Sequence, residues 1–179
     1  MFQKRNELDV FQVLKTSLHV RAVAQQTGIA VATTQRVLKQ LEHERAVTRS
    51  IQGKNHVFSR AKTPEATQYL YLTEHYQTLK LLENPFMRLL AKHVREHTDA
   101  LVVVFGSYAN QTNKQSSDVD LFIETKNQRV IQVIKEFSPK MSVQSGTLNP
   151  KSDLGQEILN KHVILQGVER FYQLYEDSR

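Results

Sequence analysis

Apolar residues recur at helical spacing through the first third of the chain and gather into short β-branched blocks after residue 100. Leu8, Phe11, Val13 and Leu14 predict a helix within residues 6–17, and a second reads across Val20 to Thr27 with Gly28 as its C-terminal stop. Val37, Leu38 and Leu41 form the stripe of a third helix, from about Val31 to Arg45. Two helices joined by a turn that holds Gly28 predict a helix-turn-helix. Beyond it, Val47 to Arg49 and Val57 to Ser59 flank Gln52-Gly53-Lys54-Asn55, the pattern of a small hairpin with a basic tip.

Residues 64–98 read as a helical connector with Tyr69, Leu70, Leu72, Tyr76, Leu79, Leu81 and Leu82, interrupted at Asn84-Pro85. The connector is not rich in Gly or Ser, so a fairly rigid link is expected, and its Tyr and Leu positions point to packing or a dimer interface. Leu101 to Phe105 is then a continuous apolar run, the mark of a buried strand, and Asp118-Val119-Asp120-Leu121-Phe122-Ile123 is a second strand in which the acids alternate with apolar residues. Carboxylates at i and i+2 on a strand share a face, an arrangement that can hold a divalent metal at a sheet edge. Between the strands, Gly106 permits close approach of a ligand to the backbone. Ser107 can open a helix whose first N–H groups, with its hydroxyl, bind phosphate oxygens. Further helices are expected over Arg129 to Phe137, Ser152 to Asn160 and Val168 to Tyr175, with strands over Lys140 to Leu148 and Val163 to Leu165.

Composition narrows the partners. The chain has 179 residues, 40% of them hydrophobic, enough for one ordinary domain or two small ones. Its net charge of +6 is unevenly placed, with eleven Lys/Arg against four Asp/Glu in residues 1–63 and thirteen against fourteen beyond. A basic segment joined to a nearly neutral one suggests that the first part meets a polyanion. No cysteine is present, which leaves no disulfide framework and no thiolate zinc site. The N-terminus has no apolar core of a signal peptide and no run is long enough to span a bilayer, so a cytoplasmic protein without a membrane partner is expected.

The segment HVRAVAQQTGIAVATTQRVLKQLEHERAV resembles the winged helix-turn-helix of prokaryotic transcription regulators. That resemblance implies a third helix in the major groove of double-stranded DNA and a wing on the backbone or minor groove. It assigns Thr33, Gln35 and Arg36 to bases and Lys39, Lys54, Asn55, His56 and Arg60 to phosphates. Ala30 departs from the family, which often carries a Ser or Thr cap there, at a cost of about 1 kcal/mol to the helix start. Winged helices also serve as protein-interaction or dimerisation modules, and a homodimer reading two half-sites is compatible with the pattern.

The pair FGSYA and SDVDLFI, with the spacing between them, resembles the minimal nucleotidyltransferases of the DNA polymerase beta superfamily. The resemblance implies Asp118 and Asp120 as catalytic, metal-binding carboxylates for Mg²⁺, and Gly106 and Ser107 as binders of the phosphates of an NTP. Charge neutralisation and in-line positioning are what phosphoryl transfer asks of a protein. Two departures stand out. The family's third carboxylate on a later strand has no counterpart in KMSVQSGTL, where Ser142 and Gln144 fall about where it would be, and Gln111 replaces a frequent Gly. Asp153 and Glu157 are acids near that strand, but they open the next helix, where the helix dipole accounts for them.

The expected architecture is therefore α+β: a winged helix-turn-helix over 1–63, a helical connector over 64–98, and a small nucleotidyltransferase-like mixed sheet with flanking helices over 99–179. Two functions remain open. One is a nucleotidyltransferase moving NMP from an NTP to a hydroxyl on a protein or nucleic acid. The other is a catalytically impaired DNA-binding regulator, antitoxin-like, that uses the transferase fold for nucleotide sensing or contact with a protein such as a toxin. A last motif, His93-Val94-Arg95-Glu96-His97, fits the H-x-x-E-H spacing of inverted zincins. A hydrolase of that kind needs a third ligand and a cleft that the later sequence does not supply, so an exposed polar helix end is expected.

Overall fold

The computed structural model describes residues 5–110, 112–114 and 116–176. Gln111 lies outside the described residues. The chain divides into two compact units, Met1–Tyr76 and Gln77–Arg179.

The first unit opens with helix α1 (Asn6–Val13), a two-residue strand β1 (Leu18–His19), α2 (Val20–Thr27) and α3 (Val31–His43). Strands β2 (Val47–Gln52) and β3 (Asn55–Arg60) follow, and α4 (Pro64–Leu81) contains the division between the units. Both ends of α2 have a local cause. The Nδ1 of His19 accepts the Ala22 N–H to cap α2, and Gly28 closes that helix in the left-handed conformation at φ 66°. Ala30 caps α3 without a side-chain bond, while the buried Thr34 hydroxyl donates to the Ile29 carbonyl. Gly53 at φ 62° with Lys54 at negative φ is the sign pattern of a type II′ turn, which matches the right-handed twist of the strands and brings β2 and β3 into register at Gln52 and Asn55.

β1 pairs with β3 on the side opposite β2, giving an antiparallel sheet in the order β1-β3-β2. Against it the helices bury Val10, Phe11, Leu14, Val23, Leu38 and Leu41, with Val47 and Phe58 from the strands. Phe11, Leu38 and Leu41 have no more than traces of exposure, so truncating any one to Ala costs about 2–5 kcal/mol. Relative to expectation, α1 stops at Val13 and β2 and β3 extend to the two-residue turn. Strand β1, which was not expected, arises from pairing with β3 at Leu18–Phe58 and His19–Val57.

The second unit continues through α5 (Pro85–His97), β4 (Val102–Phe105), the single-turn α6 (Gly106–Ala109) and β5 (Val119–Ile123). Then come α7 (Gln128–Glu136), β6 (Met141–Ser145), α8 (Asp153–Asn160), β7 (Val163–Gln166) and α9 (Val168–Glu176). The Asn84 side chain accepts from the N–H groups of Phe86 and Met87, and Pro85 occupies the first turn, where its missing donor costs nothing. Asn127 and Ser152 cap α7 and α8 in the same manner.

The sheet has the order β6-β5-β4-β7, with β4 antiparallel to both β5 and β7 and β5 parallel to β6. A mixed sheet with flanking helices is what the nucleotidyltransferase resemblance implied. Val102 and Val104 of β4, Val119, Leu121 and Ile123 of β5, and Val163 and Leu165 of β7 form one core with Met87, Leu90 and Val94 of α5 and Ile134 of α7. Side chains alternate across a strand, so Asp120 and Phe122 point to the other face from this core. No helix among the described residues is long and apolar enough to cross a membrane.

Candidate functional site

Strands β4 and β5 carry the candidate site at one end of their antiparallel pair. Phe105, the last residue of β4, is in register with Asp120. The backbone then turns sharply at Gly106, which adopts φ 64° and begins α6. A Cβ built on Gly106 would overlap the Oδ2 of Asp120 and sit 3.2 Å from its Cγ. Glycine is thus needed twice here, for the left-handed backbone and for room beside the carboxylate.

Ser107 follows in the first turn of α6, half-buried, where backbone N–H groups have no intrahelical acceptor. Asp118 stands one residue before β5 and is exposed, while Asp120 within the strand is half-buried. Alternation along β5 puts Asp120 on the face away from the α5–α7 core, and Asp118 immediately precedes the strand. The returning loop is tied by Ser117, whose hydroxyl accepts the Lys114 N–H at 2.8 Å and whose own N–H reaches the Lys114 carbonyl at 3.0 Å.

On the neighbouring parallel strand, Asp120 is in register with Ser142 and Phe122 with Gln144. Partners in register share a face, so a hydroxyl stands beside Asp120 at the position one strand over. Among the described residues, no third His, Cys, Asp or Glu groups with Asp118 and Asp120. Asp153 is exposed in the first turn of α8, behind the Ser152 cap, as its helix-dipole explanation requires. The donor set still suits a hard cation. Two carboxylates with a glycine cradle beside one of them fit Mg²⁺ bound partly through the phosphates of a nucleotide, because Mg²⁺ takes oxygen ligands and often keeps only one or two from protein.

In the first unit, Gln35, Arg36 and Lys39 are exposed on α3 and Thr33 is half-buried. Lys54 lies in the hairpin turn and Asn55 and His56 begin β3, all three exposed. Arg60 is engaged within the unit. Its Nε and Nη2 donate to the carbonyls of Phe11 and Gln12 at 3.2 and 2.9 Å, and its guanidinium lies over the Phe11 ring, 4.9 Å from the centroid. Arg60 therefore ties the end of α1 to β3.

The Tyr69 hydroxyl donates to Oε2 of Glu44, and the Gln40 amide donates to Oε1 at 3.0 Å. The bond from Tyr69, followed by that from Gln40, holds Glu44 below the ordinary carboxylate range. Burial and the same bond push the Tyr69 phenol up. No motif signals this pair, because residues 44 and 69 meet only through the fold.

Residues 87–175 match the family model described as Nucleotidyltransferase domain. Comparison with curated proteins and with solved structures returned no match. The family match supports a nucleotidyltransferase fold for the C-terminal part of the chain and covers the candidate site from α5 to α9.

Proposed function

We propose that this protein is a nucleotidyltransferase-fold protein with a DNA-binding winged helix-turn-helix, which transfers or binds a nucleotide through Mg²⁺ held by Asp118 and Asp120. The contact between the Gly106 backbone and the Asp120 carboxylate carries the reading, because it joins the phosphate-binding turn to the metal-binding strand. The matched family model supports the nucleotidyltransferase-fold part of this reading. In this reading the chain comprises a winged helix over 1–63, a connector over 64–98 and a transferase-like domain over 99–179.

Each group has a defined task. Gly106 allows phosphate oxygens to reach the backbone, the Ser107 hydroxyl donates to them, and Asp118 and Asp120 supply the anionic oxygens for the cation. Mg²⁺, when bound, neutralises phosphate charge and aligns the reacting oxygens. Double-stranded DNA is the partner of the basic first unit, supported by the α2–turn–α3 arrangement, the β2–β3 hairpin and the exposure of Gln35, Arg36, Lys39 and Lys54. The acceptor hydroxyl belongs to a protein or a nucleic acid, and the compartment is the cytoplasm.

A second reading draws on Ser142. A neutral hydroxyl in register with Asp120 favours a catalytically impaired regulator, antitoxin-like, that senses a nucleotide and binds DNA or a protein partner. Loss of general-base work alone removes about 10²–10⁴-fold in rate while leaving binding intact. Calorimetric titration of Mg²⁺-ATP into the wild type and Asp118→Asn tests the shared site, and heat in the wild type that disappears in the variant is expected. Sustained transfer of label from NTPs to co-purified partners would then select the enzyme, and tight binding without transfer the sensor.

A further inference from the structure

The C-terminal turn of α5 carries His93, Glu96 and His97, and one ligand atom from each lies within 4.8 Å of the others. Residues three and four apart on a helix share a face, so the three donors converge without help from a distant loop. The motif's own Glu96 thus stands as a third donor beside the two histidines.

Both imidazoles are oriented by backbone carbonyls. His93 Nε2 is 3.2 Å from the Val133 carbonyl on α7, and His97 Nδ1 is 2.8 Å from the His93 carbonyl. A neutral imidazole that donates one N–H to a carbonyl keeps a lone pair on its other nitrogen, the arrangement by which proteins present histidine to a metal. The His93 ring is further held against Phe137, with centroids 5.0 Å apart, and it is half-buried, whereas Glu96 and His97 are open to solvent. Glu96 pairs with Lys92 at 3.8 Å, but both side chains of that pair are more than half exposed, so the carboxylate can be given up to an ion at little cost.

We propose that His93, Glu96 and His97 form a binding site for a transition-metal ion of the zinc class, separate in chemistry from the carboxylate pair. Two imidazoles and one carboxylate select Zn²⁺, Co²⁺ or Ni²⁺ over Mg²⁺, which prefers an all-oxygen shell. Three protein ligands leave a fourth position for water or an incoming donor. The ion clamps the last turn of α5, the helix that buries Leu90 and Val94 against the sheet. Its binding to the folded chain alone raises thermal stability.

The test uses the full chain in excess Mg²⁺, which keeps the carboxylate pair supplied with its own ion. Titration with ZnCl₂ should show one equivalent taken up by the wild type, with a higher melting temperature. His97→Ala and Glu96→Gln change exposed side chains and should still unfold cooperatively without zinc, while their affinity falls by about a hundredfold for His97→Ala and by about tenfold for Glu96→Gln. Asp120→Asn should bind zinc as the wild type does, so that failure of the nucleotide site and failure of this one are told apart. No uptake by the wild type, equal uptake by His97→Ala, or loss of uptake in Asp120→Asn would each overturn the proposal.

Discussion

Gly106 and Asp120 lie in direct contact at the end of the β4–β5 pair, so close that the smallest side chain at 106 would overlap the carboxylate. Two effects of Gly106→Ala therefore act together. The residue must hold φ near 64°, a conformation that costs an L side chain about 1–2 kcal/mol, and the Asp120 carboxylate must swing away. Because that carboxylate is the far end of a rotatable side chain, the fold is expected to survive. Mg²⁺-ATP affinity should fall by about tenfold or more, read by calorimetry beside a thermal melt.

Ser142 stands in register beside Asp120, where a carboxylate would complete the acidic set. Ser142→Asp is expected to raise label transfer from NTP by at least about tenfold if the missing acid is what limits the site. Unchanged transfer in a variant that still binds Mg²⁺-ATP would assign the deficit to another feature.

Basic residues of the first unit separate by whether their charge is engaged. Arg36→Ala and Lys54→Ala are each expected to weaken duplex binding and to lower the slope of log affinity against log salt by about 1, since each removes one phosphate neutralisation. Arg60→Ala should instead lower stability by about 1–3 kcal/mol, through two lost hydrogen bonds and its stacking on Phe11. Anisotropy titrations at several salt concentrations, with urea melts of the same proteins, distinguish the two effects.

The Glu44–Tyr69 bond predicts a pH window. Glu44 ionises more readily in the folded protein, so its contribution is present above the ordinary carboxylate value of about 4.3 and is lost as pH falls through the lowered folded value. Tyr69 is raised, so its contribution is present below the ordinary phenol value of about 10 and is lost as pH climbs through the folded one. Tyr69→Phe should cost about 1 kcal/mol near neutrality, a figure discounted for the exposure of the pair, and progressively less as pH falls below the ordinary carboxylate value. A constant difference from pH 3 to 7 in urea melts would remove the bond as its cause.

How far local pattern reached can be judged from particular elements. Gly28, the Asn84-Pro85 start and the Ser152 cap set helix boundaries through bonds spanning a few residues, so short stretches of sequence were enough to locate them. The alternation in Asp118-Val119-Asp120 predicts both acids on one face, because strand geometry repeats every two residues, but β5 begins at Val119 and the strand rule reaches only Asp120. Strand β1 and the inward turn of Arg60 depend on partners about 40 or more residues away, which periodicity cannot encode. The same holds for the bond between residues 44 and 69 and for the register of Ser142 with Asp120. The H-x-x-E-H motif divides between the two levels. Helical spacing put its donors on one face, but only the packing of α5 against α7 supplied the Val133 carbonyl that orients His93. Spacing along the chain thus selects which residues share a surface, and tertiary contacts decide which of their atoms remain available for chemistry.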